Sequence, residues 1–209
     1  MSLSRRIAEQ LARPDGLAGQ IIGNVMDVAN RKPTRLAVDL LAPRPAEHIL
    51  DAGCGTGAAI AELLRRAPCR VTGVDPSRTM VHSAQTMLQR KGLRGKAEVH
   101  RCRIEDMSFA DGSFDAALAL NVLYFCDAEG RMLSRLARTL KPGGRVVAYV
   151  THKDAMENWP FAKEGFHRLF DPDSLKGIFL TAGFAPERIA VHEKPVTRSI
   201  MGLLVHATM

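Results

Sequence analysis

The stretch that decides the fold is His48-Ile49-Leu50-Asp51-Ala52-Gly53-Cys54-Gly55-Thr56-Gly57. An apolar pair, Ile49 and Leu50, ends at Asp51; glycines follow at alternate positions, and a helix-like run from Ala58 to Ala67 comes directly after. Only glycine reaches positive φ without steric cost, so this spacing suits a tight strand-to-helix turn whose bare backbone can press against a ligand. The first N–H groups of the new helix have no partners inside it and point at whatever sits there. The stretch therefore reads as a cofactor loop.

Two cofactor classes use such a turn. Gly53, Gly55 and Ala58 satisfy the dinucleotide pattern G-x-G-x-x-G/A, with an acid about twenty residues on at Asp75. Against that, Asp51 stands inside the turn, where a carboxylate repels an approaching pyrophosphate. An acid there suits a ligand that brings a positive charge, such as the α-amino group of a methionine moiety. Asp51-Ala-Gly-Cys-Gly-Thr-Gly resembles motif I of the class I (Rossmann-like) S-adenosylmethionine-dependent methyltransferases, in particular their small-molecule, methyltransferase type 11-like branch.

Outward from the turn, strands alternate with amphipathic helices, the pattern of a parallel sheet covered on both faces. Strands are expected at Ile49–Ala52, Arg70–Val74, Ala97–Arg101, Phe114–Leu120 and Arg145–Val150. The fourth is nearly all apolar, as a central strand should be. Thr56 and Ser77 are candidate N-caps, Asp127 and Asp173 are expected to open helices, and Lys141-Pro142-Gly143-Gly144 to turn the chain into the fifth strand. Two final strands, Arg188–His192 and Ser199–Ala207, suit an antiparallel hairpin. Leu140-Lys141-Pro142-Gly143-Gly144 and Thr181-Ala182-Gly183-Phe184 also match the methyltransferase order, so the resemblance runs from about residue 47 to the end. It implies an α/β, doubly wound, mostly parallel sheet of seven strands with the last antiparallel, helices on both faces, and helices added at the N-terminus.

Residues 3–42 read as those helices, expected to form a lid (1–42) on the core (43–209) of a single 1–209 domain. Leu3, Ile7 and Leu11 recur until Arg13-Pro14-Asp15-Gly16; Leu17, Ile21, Val25 and Val28 form a second stripe; Leu36, Leu40 and Leu41 mark a third helix. Such stripes are expected to face a core. Gly23, Met26 and Asn30 lie elsewhere on the second helix, and the resemblance makes Met26 and Asn30 candidate ligand contacts.

Composition bounds the partners. The chain has 209 residues, 46% hydrophobic and 24% charged, as in ordinary globular proteins. The net charge of +7 is scattered, and aromatics make only 5% of the chain, which disfavours nucleic acid. Cys54, Cys69, Cys102 and Cys126 show no C-x-x-C spacing, so reduced thiols, a cytoplasmic setting and no metal site are expected. No apolar run is long enough to span a bilayer, and no membrane partner is expected. Oligomeric state is not legible.

Ligands of an open α/β sheet bind outside the carboxyl ends of the strands. The resemblance therefore implies that S-adenosyl-L-methionine is held by Asp51, Gly53, Cys54, Gly55 and Gly57 after strand one, and by Asp75 and Pro76 after strand two. Asp75 offers two oxygens to ribose hydroxyls. After strand three, Cys102-Arg103-Ile104-Glu105-Asp106-Met107-Ser108-Phe109 is similar to the family's G-D-A-E-D-L-P-F, with Ile104 and Glu105 toward adenine. Arg103 departs from that pattern, because it cannot accept from the adenine amino group. Asn121 borders the cofactor and acceptor after strand four, with Tyr124 a candidate catalytic contact; His152, after strand five, is the histidine best placed to remove a proton, ahead of His82, His100 and His167. The expected activity is methyl transfer to an O, N, S or C nucleophile of a small molecule. Alternatives are a macromolecular methyltransferase, an NAD(P)-dependent oxidoreductase and a non-catalytic cofactor-binding module. The absence of proline in Asn121-Val122-Leu123-Tyr124 argues against the nucleobase motif of the first.

Overall fold

The computed structural model describes residues 3–12, 14–127, 129–165 and 167–209. Three helices come first: α1 (Leu3–Ala12), α2 (Gly16–Ala29) and α3 (Arg31–Leu41). Then follow β1 (His48–Ala52), α4 (Ala58–Arg66), β2 (Arg70–Asp75), α5 (Arg78–Arg90), β3 (Ala97–Arg101), β4 (Phe114–Leu120), α6 (Arg131–Thr139) and β5 (Leu140–Thr151). The chain closes with α7 (Lys153–Met156), α8 (Pro172–Thr181), β6 (Ile189–Pro195) and β7 (Met201–Thr208). The described residues form a seven-stranded sheet in the order β3-β2-β1-β4-β5-β7-β6. β7 runs antiparallel to both β5 and β6, and the β1 to β5 pairings are parallel. This is the expected doubly wound fold.

Successive strand residues point to opposite faces, so each strand feeds two cores. Leu50, Ala117, Ala119 and Val146 pack with Leu133 and Leu136 of α6 and Leu175 and Phe179 of α8. Ile49, Val71, Leu118 and Val147 pack on the other face with Val38 and Leu41 of α3, Ile60 and Leu63 of α4, and Ala84 and Leu88 of α5. Arg145 ties α3 to the sheet: its guanidinium donates to the carbonyls of Leu41 (2.7 Å) and Ala42 (3.0 Å) and bidentately to Glu47 (2.7 and 2.8 Å). The last carbonyls of a helix need such donors.

Several boundaries differ from expectation. Gly57, not Thr56, stands at the N-cap of α4, because its φ of 86° makes the turn into the helix, and the Thr56 hydroxyl is used elsewhere. Ser77 caps α5 as expected, accepting from the Met80 N–H at 3.2 Å. α6 begins at Arg131 rather than Asp127; Asp127 instead accepts from the Arg131 backbone (2.9 Å) and guanidinium (2.7 Å). Asp171, not Asp173, caps α8, in a reciprocal capping box with Ser174. Residues 141–144 bulge out of the β4–β5 ladder, which steps from Phe114↔Leu140 to Ala116↔Arg145.

The largest departure is α2. Its apolar stripe was expected to face a core, yet Ile21 (65%), Val25 (61%) and Val28 (61%) stand exposed. Gly19 and Gly23 face inward instead. Arg13, Phe166 and the side chains of Leu3, Ile7, Leu11 and Leu17 lie outside the described residues.

Candidate active site

The sheet order reverses between β1 and β4, and loops leaving that switch point part to form a crevice. The Gly53–Gly57 turn, with Asp51 at the end of β1 beneath it, occupies it. Gly53, Gly55 and Gly57 all have positive φ (77°, 52° and 86°), but they do different work. A Cβ at Gly53 would lie 2.0 Å from Val122 Cγ1, and one at Gly57 would lie 2.6 Å from Met87 Cε. At Gly55 nothing lies within 4 Å. The outer glycines let the turn pack between α5 and the segment after β4, while the middle one opens onto free space where a ligand can reach bare backbone. The Gly53 and Cys54 N–H groups donate to the Val74 carbonyl, at 2.8 and 3.0 Å. The Cys54 side chain packs into the core beside Gly73 and Ile60, so this expected site residue faces the cleft through its backbone only.

Two acids lie under the turn. Asp51 is 1% exposed, and its Oδ2 has no hydrogen-bond partner among the described residues. Burial, and then the nearby Asp75 charge, push its carboxyl up to about 7. Asp75 accepts from the Gly55 N–H at 3.0 Å and the Ser77 N–H at 2.8 Å, and burial raises its carboxyl as well. A buried carboxylate oxygen without a donor is costly, and a cation arriving at it removes the cost. Each Asp75 oxygen keeps acceptor capacity beyond its one backbone donor. Residues of this kind fit a ligand carrying an ammonium group and a pair of hydroxyls.

The inner edge of α2 closes on the same turn. Thr56 Oγ1 donates to the Asp27 carboxylate, 2.8 and 2.7 Å from its two oxygens. A Cβ at Gly23 would lie 3.2 Å from Thr56 Cγ2 and 3.1 Å from Met80 Cε, so the helix backbone seats directly on them. Sequence reasoning selected Met26 and Asn30 here and passed over Asp27. The available signal was that Asp27 is the sole charged residue between Gly16 and Ala29. At the other end, Ser4 of α1 donates to Glu164, so the N-terminal helices reach from the glycine turn to the segment after β5.

The remaining candidates divide. Ile104 is 5% exposed and packs into the α6–α8 core, whereas Glu105 accepts from exposed Arg103 at 3.2 Å. The Pro76 carbonyl accepts from Arg101 Nε at 3.4 Å. Asn121 has φ 57° at the end of β4, and its Oδ1 accepts from the Tyr124 hydroxyl at 3.2 Å. That hydroxyl in turn accepts from the Thr151 N–H at 2.6 Å, tying the ends of β4 and β5 together. Burial holds the Tyr124 phenol well above its ordinary range, so it stays protonated. His152 caps α7, its Nδ1 accepting from the Asp154 N–H at 3.2 Å. His167 sits in an aromatic group, with ring centroids 5.9 Å from Tyr124, 5.2 Å from Phe125 and 5.5 Å from Phe161. Its Nδ1 is buried without a partner among the described residues, and burial lowers its pKa. Among the described residues no three His, Cys, Asp or Glu side chains group as metal ligands.

Comparison with known proteins agrees with this geometry. A family model described as "Methyltransferase domain" matches residues 50–148. An O-methyltransferase of Aspergillus sclerotiorum is 32% identical over 69% of this chain and 55% of its own length. A 24-methylenesterol C-methyltransferase 2 of Oryza sativa subsp. japonica is 28% identical over 72% of this chain and 43% of its own. The chain thus spans about half the length of these curated relatives. Among solved structures, the putative methyltransferase complexed with the Haloferax volcanii Trm112 activator superimposes with a TM-score of 0.79. That match covers 99% of both chains at 17% identity, a likeness of fold. Glycine turn, sheet order and relatives together place this chain in the class I S-adenosylmethionine-dependent methyltransferases.

Proposed function

We propose that the chain transfers a methyl group from S-adenosyl-L-methionine to a hydroxyl oxygen of a small, largely apolar acceptor. The observation that carries the reading is the bare, buried Asp51 Oδ2 at the head of a turn whose Gly55 stands open, a combination that suits a cationic amino acid moiety and opposes a pyrophosphate. Asp51, the backbone from Gly53 through Cys54 and Gly55 to Gly57, Asp75, Pro76, Ile104, Glu105 and Asn121 hold the cofactor. When bound, its sulfonium supplies a methyl group that is already electrophilic.

What the chain adds is position, which can supply about 7 to 11 kcal/mol of barrier reduction. The acceptor lies among Tyr124, Phe125, Trp159, Phe161 and His167, an apolar wall that excludes water. Tyr124 keeps its proton and orients Asn121 rather than acting as a base. His152, through its Nε2, is the candidate to take the hydroxyl proton; His167, with its bare buried Nδ1, is the rival for that role. The named O-methyltransferase relative supports oxygen as the nucleophile, and the C-methyltransferase relative supports carbon as the second reading. Within the segment expected as a lid, α1 and α2 serve that role, latched by Asp27 on Thr56 and by Ser4 on Glu164, while α3 stays packed on the sheet.

Parallel calorimetric titration with S-adenosylmethionine, S-adenosylhomocysteine and NADH tests the cofactor, followed by labelled-methyl assays on phenolic and aliphatic alcohols. Binding of the first two alone is expected, with Asp51→Ala or Asp75→Ala each abolishing it in a folded protein. NADH binding alone, or near-native binding by either variant, overturns the reading.

A further inference from the structure

Ile21, Val25 and Val28 project from α2 at 61–65% exposure, and they are three of five large hydrophobic side chains that stand exposed among the described residues. The row does not stop at the helix end. Asn30 joins α2 to α3 with φ −89° and ψ 2°, and i→i−4 hydrogen bonds run through it: Asn30 N–H to Met26 O and Thr34 N–H to Asn30 O, both 2.8 Å. Lys32 and Arg35 therefore continue the row, at intervals of four, three, four and three from Ile21. Both are exposed, on the side of α3 opposite its buried Ala37, Val38 and Leu41.

The acids of this region are turned to other partners. Asp15 accepts from Gly16 N–H as the α2 cap, Asp27 is taken by Thr56, and Asp39 pairs with Arg66 at 2.5 Å. Lys32 and Arg35 have no carboxylate partner among the described residues. An aliphatic row running into an uncompensated basic end is the pattern of a helix that lies on an anionic bilayer. We propose that this α2–α3 face docks the protein on anionic lipid surfaces, the aliphatics entering the headgroup boundary while Lys32 and Arg35 meet lipid phosphates.

The charge favours lipid over a second copy. Three aliphatic side chains fall well short of the roughly 800 Å² each subunit contributes to a stable interface, whereas they and a few cations suffice for reversible surface binding. No helix among the described residues is long and apolar enough to cross a membrane, so the contact is peripheral. The opposite edge of α2 holds the glycine turn through Asp27, which sets the crevice directly behind the docked face.

Cosedimentation with phosphatidylcholine vesicles, with and without phosphatidylglycerol, tests this at low and high salt. Binding is expected with the anionic lipid, weakened by salt. The double variant Ile21→Asp/Val25→Asp is expected to bind at least about 10-fold more weakly, and Lys32→Glu/Arg35→Glu to lose the preference for anionic lipid. Circular dichroism and a native thermal midpoint show that these surface variants are folded. Wild-type protein that stays in the supernatant, or variants that sediment equally, overturns the proposal. So does a dimer, by light scattering, that Ile21→Asp dissociates. These readouts need no methyl acceptor and no cofactor, so they stand or fall apart from the assigned activity.

Discussion

Consecutive helices α2 and α3 both repeat apolar residues at helical spacing, and they use them in opposite ways. α3 buries Ala37, Val38 and Leu41 at 0% exposure against β4, β5 and α4, with Leu36 and Leu40 of its expected stripe only partly buried beside them. α2 turns its stripe to the outside and seats Gly19 and Gly23 inward. The difference lies in what each must approach. α3 covers a sheet, where large side chains fill volume. α2 covers the glycine turn, where Gly23 permits close seating and Asp27 can reach Thr56. A helix period tells which residues share a face, but not whether that face is the inner one.

The largest expected effects separate the two helices. Leu41→Ala should cost about 2–5 kcal/mol in denaturant unfolding, the usual range for a fully buried leucine. Ile21→Ala should change stability by less than about 0.5 kcal/mol. Equal costs would mean that the α2 stripe is covered in solution. Arg145→Ala should cost about 3 kcal/mol, because it leaves the Leu41 and Ala42 carbonyls without this donor and Glu47 with only the Arg44 N–H. A loss confined to α3, with the rest of the fold cooperative, would mark the first three helices as a separate unit.

A third test addresses the turn between the helices and the sheet. Burial and the nearby Asp75 charge push the folded Asp51 carboxyl up to about 7 from an ordinary 3.8, so between these the native state keeps a proton that the unfolded chain has lost. Stability contributed by Asp51 therefore falls as pH rises through that window. Asp51→Asn should be about 1–3 kcal/mol more stable than wild type above pH 7 and nearly equal to it near pH 4. The same variant should lose cofactor affinity, and wild-type affinity should rise as pH passes about 7, since the ionised acid is the form that meets a cation. A thermal-shift series across pH, with and without S-adenosylhomocysteine, reads both. Loss of stability at all pH values would mean that the acid serves the fold.

The smallest effect concerns α2 alone. Asp27→Ala should alter global stability by no more than about 1 kcal/mol, yet speed amide exchange in α2 and leave α3 unchanged. Added S-adenosylhomocysteine should slow α2 exchange in the wild type more than in the variant. Identical exchange in both helices would remove the lid assignment.

Much of this molecule was legible in advance. Alternating strands and helices, the glycine turn, Ser77 as a cap and the Asp51–Asp75 pair follow from local rules: backbone sterics at positive φ, side-chain periodicity, and the chemistry of an acid inside a turn. The sheet's order and the reversed β7 came from resemblance of the whole succession. Other features depended on residues far apart in the chain. Thr56 offered its hydroxyl to Asp27 across 29 positions rather than to its own helix. Tyr124 became a tie between two strand ends, and His167, ranked behind His152, came to rest in the aromatic group with a bare nitrogen. The inward face of α2 was settled in the same way. By itself, the order of residues determined which groups share a strand, a turn or a helix face, because those relations are fixed within a few bonds. Only the tertiary structure decided which face meets the sheet, which donor finds which acceptor and which acid is left without one, because burial and hydrogen bonding are assigned by what packs against them.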